Sequence, residues 1–215
     1  LEAVAVSLLP GFRDSNVRHI IGDVEVSAIF ISEKYRNAVE EVELPSLCRI
    51  YDLETGEHTE LHRKSGSDCA KRLHAWQKES GRSDDITRFV DVLPMPEADD
   101  LAVIIYTSGT TGHSKGVMLT HGNIVSDVQL SIQRFPIDHE DRFLSILPLS
   151  HTFEATGGLL CPLSVGTSIA YMKGAPTPQK LIAAMGTTRP TGVLTVPLIM
   201  DKIYRKRILP AFKKH

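Results

Sequence analysis

The stretch LAVIIYTSGTTGHSKGVML, residues 101–119, decides how this chain is read. Leu101 to Tyr106 form a near-continuous apolar run, the pattern of a strand buried on both faces. Thr107, Ser108, Thr110 and Thr111 then supply hydroxyls among Gly109, Gly112 and Gly116, with Lys115 just before the last glycine. Val117 to Leu119 return to a short strand. Each residue type has a use around a polyphosphate. Glycines let the backbone turn sharply and bring N–H groups close to anionic oxygens. Hydroxyls donate to phosphate or ligate a divalent cation, and a lysine adds a charge-assisted hydrogen bond.

Spacing separates the competing templates. A Walker A loop requires G-x-x-x-x-G-K-[ST] followed by a helix. Counted from Gly109, its second glycine would fall on Ser114, Lys115 precedes Gly116, and a strand follows. The nucleophile elbow G-x-S-x-G is matched in letters by Gly112 to Gly116, with Ser114 as nucleophile, His151 as base and Asp138 or Asp141 as its orienter. That elbow belongs on a strand-to-helix turn, whereas strands are expected on both sides here. The stretch between Ser114 and His151 is also short for the intervening units of a hydrolase. A serine esterase is therefore the weaker reading, and a polar surface turn the bland one.

Outward from the loop, short apolar runs alternate with helical patterns, the mark of an α/β fold. Strands are expected at Ala3–Leu9, Val26–Ile31, Leu47–Tyr51, Leu101–Tyr106, Val117–Leu119, Arg142–Leu147, Thr167–Tyr171 and Gly192–Val196. Helices are expected after Ser15 as cap, near Glu33–Val42, over Asp68–Glu79 with Trp76, from Thr120 and from Thr177–Pro178. A last one runs from Pro197 to about Ile208, and residues 52–66 read as loop. The expected architecture is a doubly wound, mostly parallel sheet with helices on both faces. Pro94, Pro96 and the acidic residues around them make a connector near residues 91–100.

Residues 106–117 closely resemble the phosphate-binding signature of the adenylate-forming, AMP-binding superfamily, Tyr-Thr-Ser-Gly-Thr-Thr-Gly-x-Pro-Lys-Gly-Val. Ser114 stands at the usual proline position, which loosens the loop without removing a phosphate ligand. Three further segments follow in family order. Leu147 to Glu154 is similar to the Leu-Pro-Leu-x-His-x-x-Glu segment of fatty acyl-CoA synthetases. Arg189-Pro190-Thr191 and Val196-Pro197 resemble long-chain members, with Leu198 where arginine is usual. Ala3 to Val6, Val17 to Ile21 and Ala28 to Ser32 resemble an early part of the same enzymes.

The resemblance implies an ATP-dependent acyl-CoA synthetase acting on medium or long fatty acids, with ATP, Mg²⁺ and CoA as co-substrates or cofactors. It assigns Ser108, Gly109, Thr110, Thr111, Gly112 and Lys115 to the β- and γ-phosphates and Thr107 to phosphate and Mg²⁺. It assigns His151 to the wall between acyl and thiol channels. Lys115 and His151 are thus the catalytic candidates. The family's later Tyr-Gly-x-Thr-Glu and Thr-Gly-Asp segments do not appear after Val196. Residues 1–215 are therefore expected to be a central part of the large N-terminal domain, without the C-terminal domain and unable to complete adenylation alone. A stand-alone nucleotide-binding or interaction module with a degenerate loop is the alternative from another class.

Composition limits the partners. A formal charge of −2 offers no electrostatic footprint for nucleic acid. Three widely spaced cysteines, Cys48, Cys69 and Cys161, suit a reducing compartment, and a cytoplasmic location is the expectation. No apolar run approaches the roughly 20 residues of a membrane span. Membrane association would be peripheral, through the acyl substrate of the parent enzyme. His58 and His62 lack the Glu placement of an H-E-x-x-H zinc site and read as solvated.

Overall fold

A computed structural model describes residues 3–40, 46–47, 49–60, 95–107 and 114–212. The expected helix at Asp68–Glu79, Cys48, Cys69 and His62 lie outside the described residues, as do Ser108 to His113. The fold is α/β, with mostly parallel strand pairing distributed over three small sheets among the described residues. Two compact units divide the chain. One holds Gly11–Pro96 and Tyr106–Lys115, and the other Val4–Pro10, Glu97–Ile105 and Gly116 onward.

In the first unit, α1 (Asp14–Asp23) buries Ile20 and Ile21 and packs on α2 (Asn37–Glu40). The helix starts one residue before the expected cap Ser15. Arg13 is the cap residue and makes no side-chain cap bond. Asp14 instead places a carboxylate against the positive end of the helix dipole. Strand β2 (Ala28–Ile31) exposes Ala28 and Phe30 and buries Ile29 and Ile31, the alternation of a half-covered strand. It pairs in parallel with β3 (Arg49–Asp52), which pairs antiparallel with β4 (His58–Glu60).

Two expectations change here. The helix near Glu33–Val42 is a 3₁₀ turn at Glu33–Tyr35 followed by α2. The amides of Tyr35 and Arg36 bond three residues back, to Ser32 and Glu33, which tightens the backbone. The expected loop at 52–66 contains β4. Its polar residues gave no periodic signal, and the turn decides the pairing. Asp52 Oδ1 accepts from the Glu54 and Thr55 amides at 2.9 and 2.7 Å, and Gly56 takes φ +73°. Those same amide donors, that of Thr55 foremost, hold the Asp52 carboxyl below the usual carboxylate range.

β1 (Ala5–Ser7) runs parallel to β5 (Leu101–Thr107), which neighbours β6 (Lys115–Thr120); apart from Tyr106, Thr107 and Lys115 at the strand ends, these belong to the second unit. Leu101 to Ile105 are half-buried rather than buried on both faces, and only Tyr106 is closed off from solvent. α3 (His121–Arg134) begins as expected at Thr120. The Thr120 Oγ1 accepts from the Asn123 amide at 3.2 Å, and Asn123 Oδ1 accepts from the Thr120 amide at 3.1 Å. This reciprocal cap satisfies two orphan donors. Thr120→Ala should cost about 1 kcal/mol, read as a shift in the denaturant midpoint; an unchanged midpoint would mean the cap contributes nothing.

β7 (Arg142–Ser145) runs to α4 (Thr152–Glu154), a π-helical segment Ala155–Leu160 and α5 (Cys161–Ser164). β8 (Ser168–Tyr171) returns parallel to β7. α6 (Pro178–Thr188) starts at the expected Thr177–Pro178 cap, with Thr177 Oγ1 accepting from the Lys180 amide at 3.4 Å. α7 (Pro197–Ile203) passes through a π-helical segment Tyr204–Ile208 into α8 (Leu209–Phe212). Leu144, Ile146 and Leu181 form the buried cluster, with Val193, Ile199 and Ile203 against it.

The strand expected at Gly192–Val196 is a single bridge, Phe143 to Gly192. A Cβ at Gly192 would lie 2.6 Å from the Phe143 ring, so only glycine permits this approach. Beyond it, Val193 packs into the cluster and Leu194 against Gly157, so these apolar residues serve packing and not pairing. No helix among the described residues is long and apolar enough to cross a membrane.

Candidate functional site

The loop singled out in the sequence is framed by two neighbouring strands. Thr107 is the last residue of β5 and Lys115 the first of β6, and both are exposed. The loop's ends thus start from adjacent strands, with a hydroxyl at one and an ammonium at the other. Ser108, Gly109, Thr110, Thr111 and Gly112 lie outside the described residues. Ser114 leads directly into β6 and is therefore not followed by a helix, as a nucleophile elbow would require.

Beneath the loop's start, Tyr106 is buried at 3% exposure, and its phenol donates to Asp23 Oδ2 at the end of α1. Burial first, then this carboxylate, pushes the phenol up to about 12, so it remains a donor at any ordinary pH. The bond ties the residue before Thr107 to a helix of the same unit. Sequence reading quoted Tyr106 only as a motif letter; its pairing with Asp23 left no local signal, because the partner is 83 positions away.

His151 occupies a separate arrangement, in the other unit. It is the N-cap of α4, and its Nδ1 accepts from the Phe153 amide at 3.3 Å. A ring nitrogen that accepts is unprotonated, so the neutral ring carries its proton on Nε2. The ring is exposed. Three residues on, Glu154 is fully buried, and its Oε1 accepts from Ser145 Oγ at 2.5 Å. Its Oε2 makes no hydrogen bond of good geometry. Burial pushes this carboxyl up, against the pull of the Ser145 hydroxyl and the Leu147 and Ile146 amides. In the sequence Glu154 stands only as the last letter of the Leu147–Glu154 motif.

The sign of the resulting pH dependence follows from linkage. A carboxyl with a raised pKa binds its proton more tightly in the folded state. Its contribution is complete below the unfolded pKa and is lost as pH rises through the folded value. Glu154→Gln should remove that decline. Urea midpoints from acidic to neutral pH would show wild type falling relative to the variant as pH rises; parallel curves would contradict it.

Arg189-Pro190-Thr191 is stitched to the start of β7. Thr191 Oγ1 accepts from the Arg142 amide at 2.9 Å and donates to Asp141 Oδ1 at 2.6 Å, and the Thr191 amide donates to the Arg142 carbonyl at 2.8 Å. Its hydroxyl, followed by the Asp138 amide, holds the Asp141 carboxyl below the usual range. Arg189 itself takes φ +46° as the left-handed cap of α6, where Pro190 forbids further helix. Among the described residues no group of three His, Cys, Asp or Glu side chains could hold a metal ion.

The fold is α/β, with the segment of the sequence motif entered from one strand and left by its neighbour, and comparison with known proteins places it in a family. The chain belongs to the AMP-binding enzyme family, which it matches over residues 1–215. It is 37% identical over 109 residues to long chain acyl-CoA synthetase 6, peroxisomal, of Arabidopsis thaliana, covering 51% of this chain and 15% of that protein. It is 28% identical over 216 residues to long-chain-fatty-acid–CoA ligase 6 of Rattus norvegicus, covering 94% of this chain and 29% of that protein. Among solved structures, the inhibitor-bound N-terminal domain of FACL13 from Mycobacterium tuberculosis aligns with TM-score 0.73 at 20% identity, over 97% of this chain and 47% of that one. ATP-bound MatB from Rhodopseudomonas palustris aligns with TM-score 0.69 at 22% identity, over 95% of this chain and 36% of that one. These structures share the fold. The chain spans less than a third of the length of either curated relative.

Proposed function

We propose that this chain is part of the large domain of an ATP-dependent fatty acyl-CoA synthetase and supplies its triphosphate loop and its His151 turn. In that reaction a fatty carboxylate attacks the α-phosphorus of ATP, forming acyl-AMP and releasing pyrophosphate. The thiol of CoA then attacks the acyl carbon, forming the thioester and releasing AMP. The observation that carries the reading is the placement of Thr107 and Lys115, both exposed, at the two ends of the loop on neighbouring strands.

The barrier to the first step is electrostatic, since two anions must meet. Lys115 offsets charge on the β- and γ-phosphates, and the Thr107, Ser108, Thr110 and Thr111 hydroxyls, with the amides near Gly109 and Gly112, donate to their oxygens. Mg²⁺, when bound through Thr107 and the phosphates, would supply further charge neutralisation. His151, with its Nδ1 taken by the Phe153 amide, would serve at the acyl–thiol boundary through its Nε2–H. Binding of ATP or pyrophosphate to this chain should depend on Lys115. The strand that begins at Lys115 supports this reading over the Ser114 esterase.

Pyrophosphate–ATP exchange by the complete enzyme, measured across carboxylates of increasing chain length, tests the function. Exchange should depend on medium or long fatty acids. Tight ATP binding to this chain that persists in Lys115→Ala, or labelling of Ser114 by a fluorophosphonate, would overturn it.

A further inference from the structure

We propose that Glu154 is a positioning residue for His151: its carboxyl, gripped by Ser145, closes the base of the turn that carries the imidazole and fixes the ring. The proposal takes the importance of His151 from the function above, but its geometry stands apart from it.

Ser145 is the last residue of β7 and 5% exposed; Glu154 is the last residue of α4 and 0% exposed. Their hydrogen bond joins positions nine apart. The bonds that orient His151 lie inside or at the edge of the loop it closes. The His151 amide donates to the Pro148 carbonyl at 3.0 Å, its carbonyl accepts from the Ala155 amide at 2.9 Å, and Nδ1 accepts from the Phe153 amide at 3.3 Å. Releasing Glu154 would therefore free the α4 turn from the strand end and remove the reference against which the ring is held.

The surroundings are shaped for this carboxyl. A Cβ at Gly158 would lie 2.7 Å from the Glu154 carboxyl carbon, so glycine in the π-helical segment makes the room it occupies. A Cβ at Gly157 beside it would likewise lie 2.6 Å from Leu194 Cδ2. A fully buried carboxyl is a costly way to fill a core. Leucine or methionine would fill the volume more cheaply, so packing alone does not account for glutamate here. Its hydrogen bond to the strand end does.

Two measurements test this. In the intact chain with ¹⁵N-labelled histidine, the His151 ring signals are those lost in His151→Gln. Wild type should show the Nε2–H form, and Glu154→Gln should keep it, since its amide oxygen still accepts from Ser145. Glu154→Ala should give a mixture of tautomers. Ser145→Ala removes only the hydroxyl and serves if Glu154→Ala does not fold; it should give the same mixture. An unchanged His151 spectrum in the folded alanine variant would overturn the proposal.

In the complete enzyme, Glu154→Ala should lower the half-reaction that His151→Ala lowers, by about tenfold or more, as expected for a misplaced reacting group. The double variant should be no slower than the slower single one, whereas additive losses would overturn the coupling. An enzyme that makes no acyl-CoA would remove the function and leave the positioning to be decided by the ring spectrum.

Discussion

Lys115→Ala should lower kcat/KM for ATP in the complete enzyme by about 100-fold or more, the scale seen when one donor to a developing or resident oxyanion is removed. The physical basis is that Lys115 is the only cation in residues 101–119, where the loop meets β6. Its loss leaves phosphate charge to be met by hydroxyls and amides alone. Because the side chain is exposed, its removal should change stability by no more than about 0.5 kcal/mol. The pair of measurements is decisive: a large kinetic loss with an unchanged unfolding midpoint assigns the lysine to the phosphates. A fall in stability matching the fall in rate would assign it to the fold. Lys115→Arg should recover part of the activity, since the charge persists but the compact ammonium does not.

Leu144→Ala should be among the damaging truncations in the second unit, at about 2–5 kcal/mol. Leu144 is 2% exposed, sits in β7 and packs with Ile146 and Leu181, so the lost methyls leave a cavity between the strand and α6. Melting temperature should fall by roughly 2–4 °C for each kcal/mol lost. Leu130→Ala, at a 64%-exposed residue of α3, is the control and should stay within about 0.5 kcal/mol. Equal shifts for the two would show that the cluster is not the core. Leu144→Met, which conserves volume, should cost less than about 1.5 kcal/mol.

The elements legible from sequence are those with strong local chemistry. Thr120 and Thr177 each precede a helix and cap it, because a hydroxyl at that position satisfies amides a few residues away. β5 and β6 follow from their apolar runs. Misread elements were decided at a distance. β4 exists because an Asp52 turn delivers it to β3, and Gly192–Val196 fails as a strand because Val193 and Leu194 are claimed by packing.

The candidate site divides in the same way. Thr107, Lys115 and His151 are visible as letters at family spacing, while Asp23 under Tyr106 and Ser145 against Glu154 are visible only in space. The loop that opened the reading was determined by the sequence alone: hydroxyls, glycines and a lysine between two strands, in the signature of the AMP-binding family. That information is local, because phosphate recognition needs particular groups on a short, sharply turning backbone. How the flanking residues are held was decided by tertiary structure. A buried phenol or carboxyl takes its partner from whichever element the fold brings alongside, and no spacing along the chain encodes that choice.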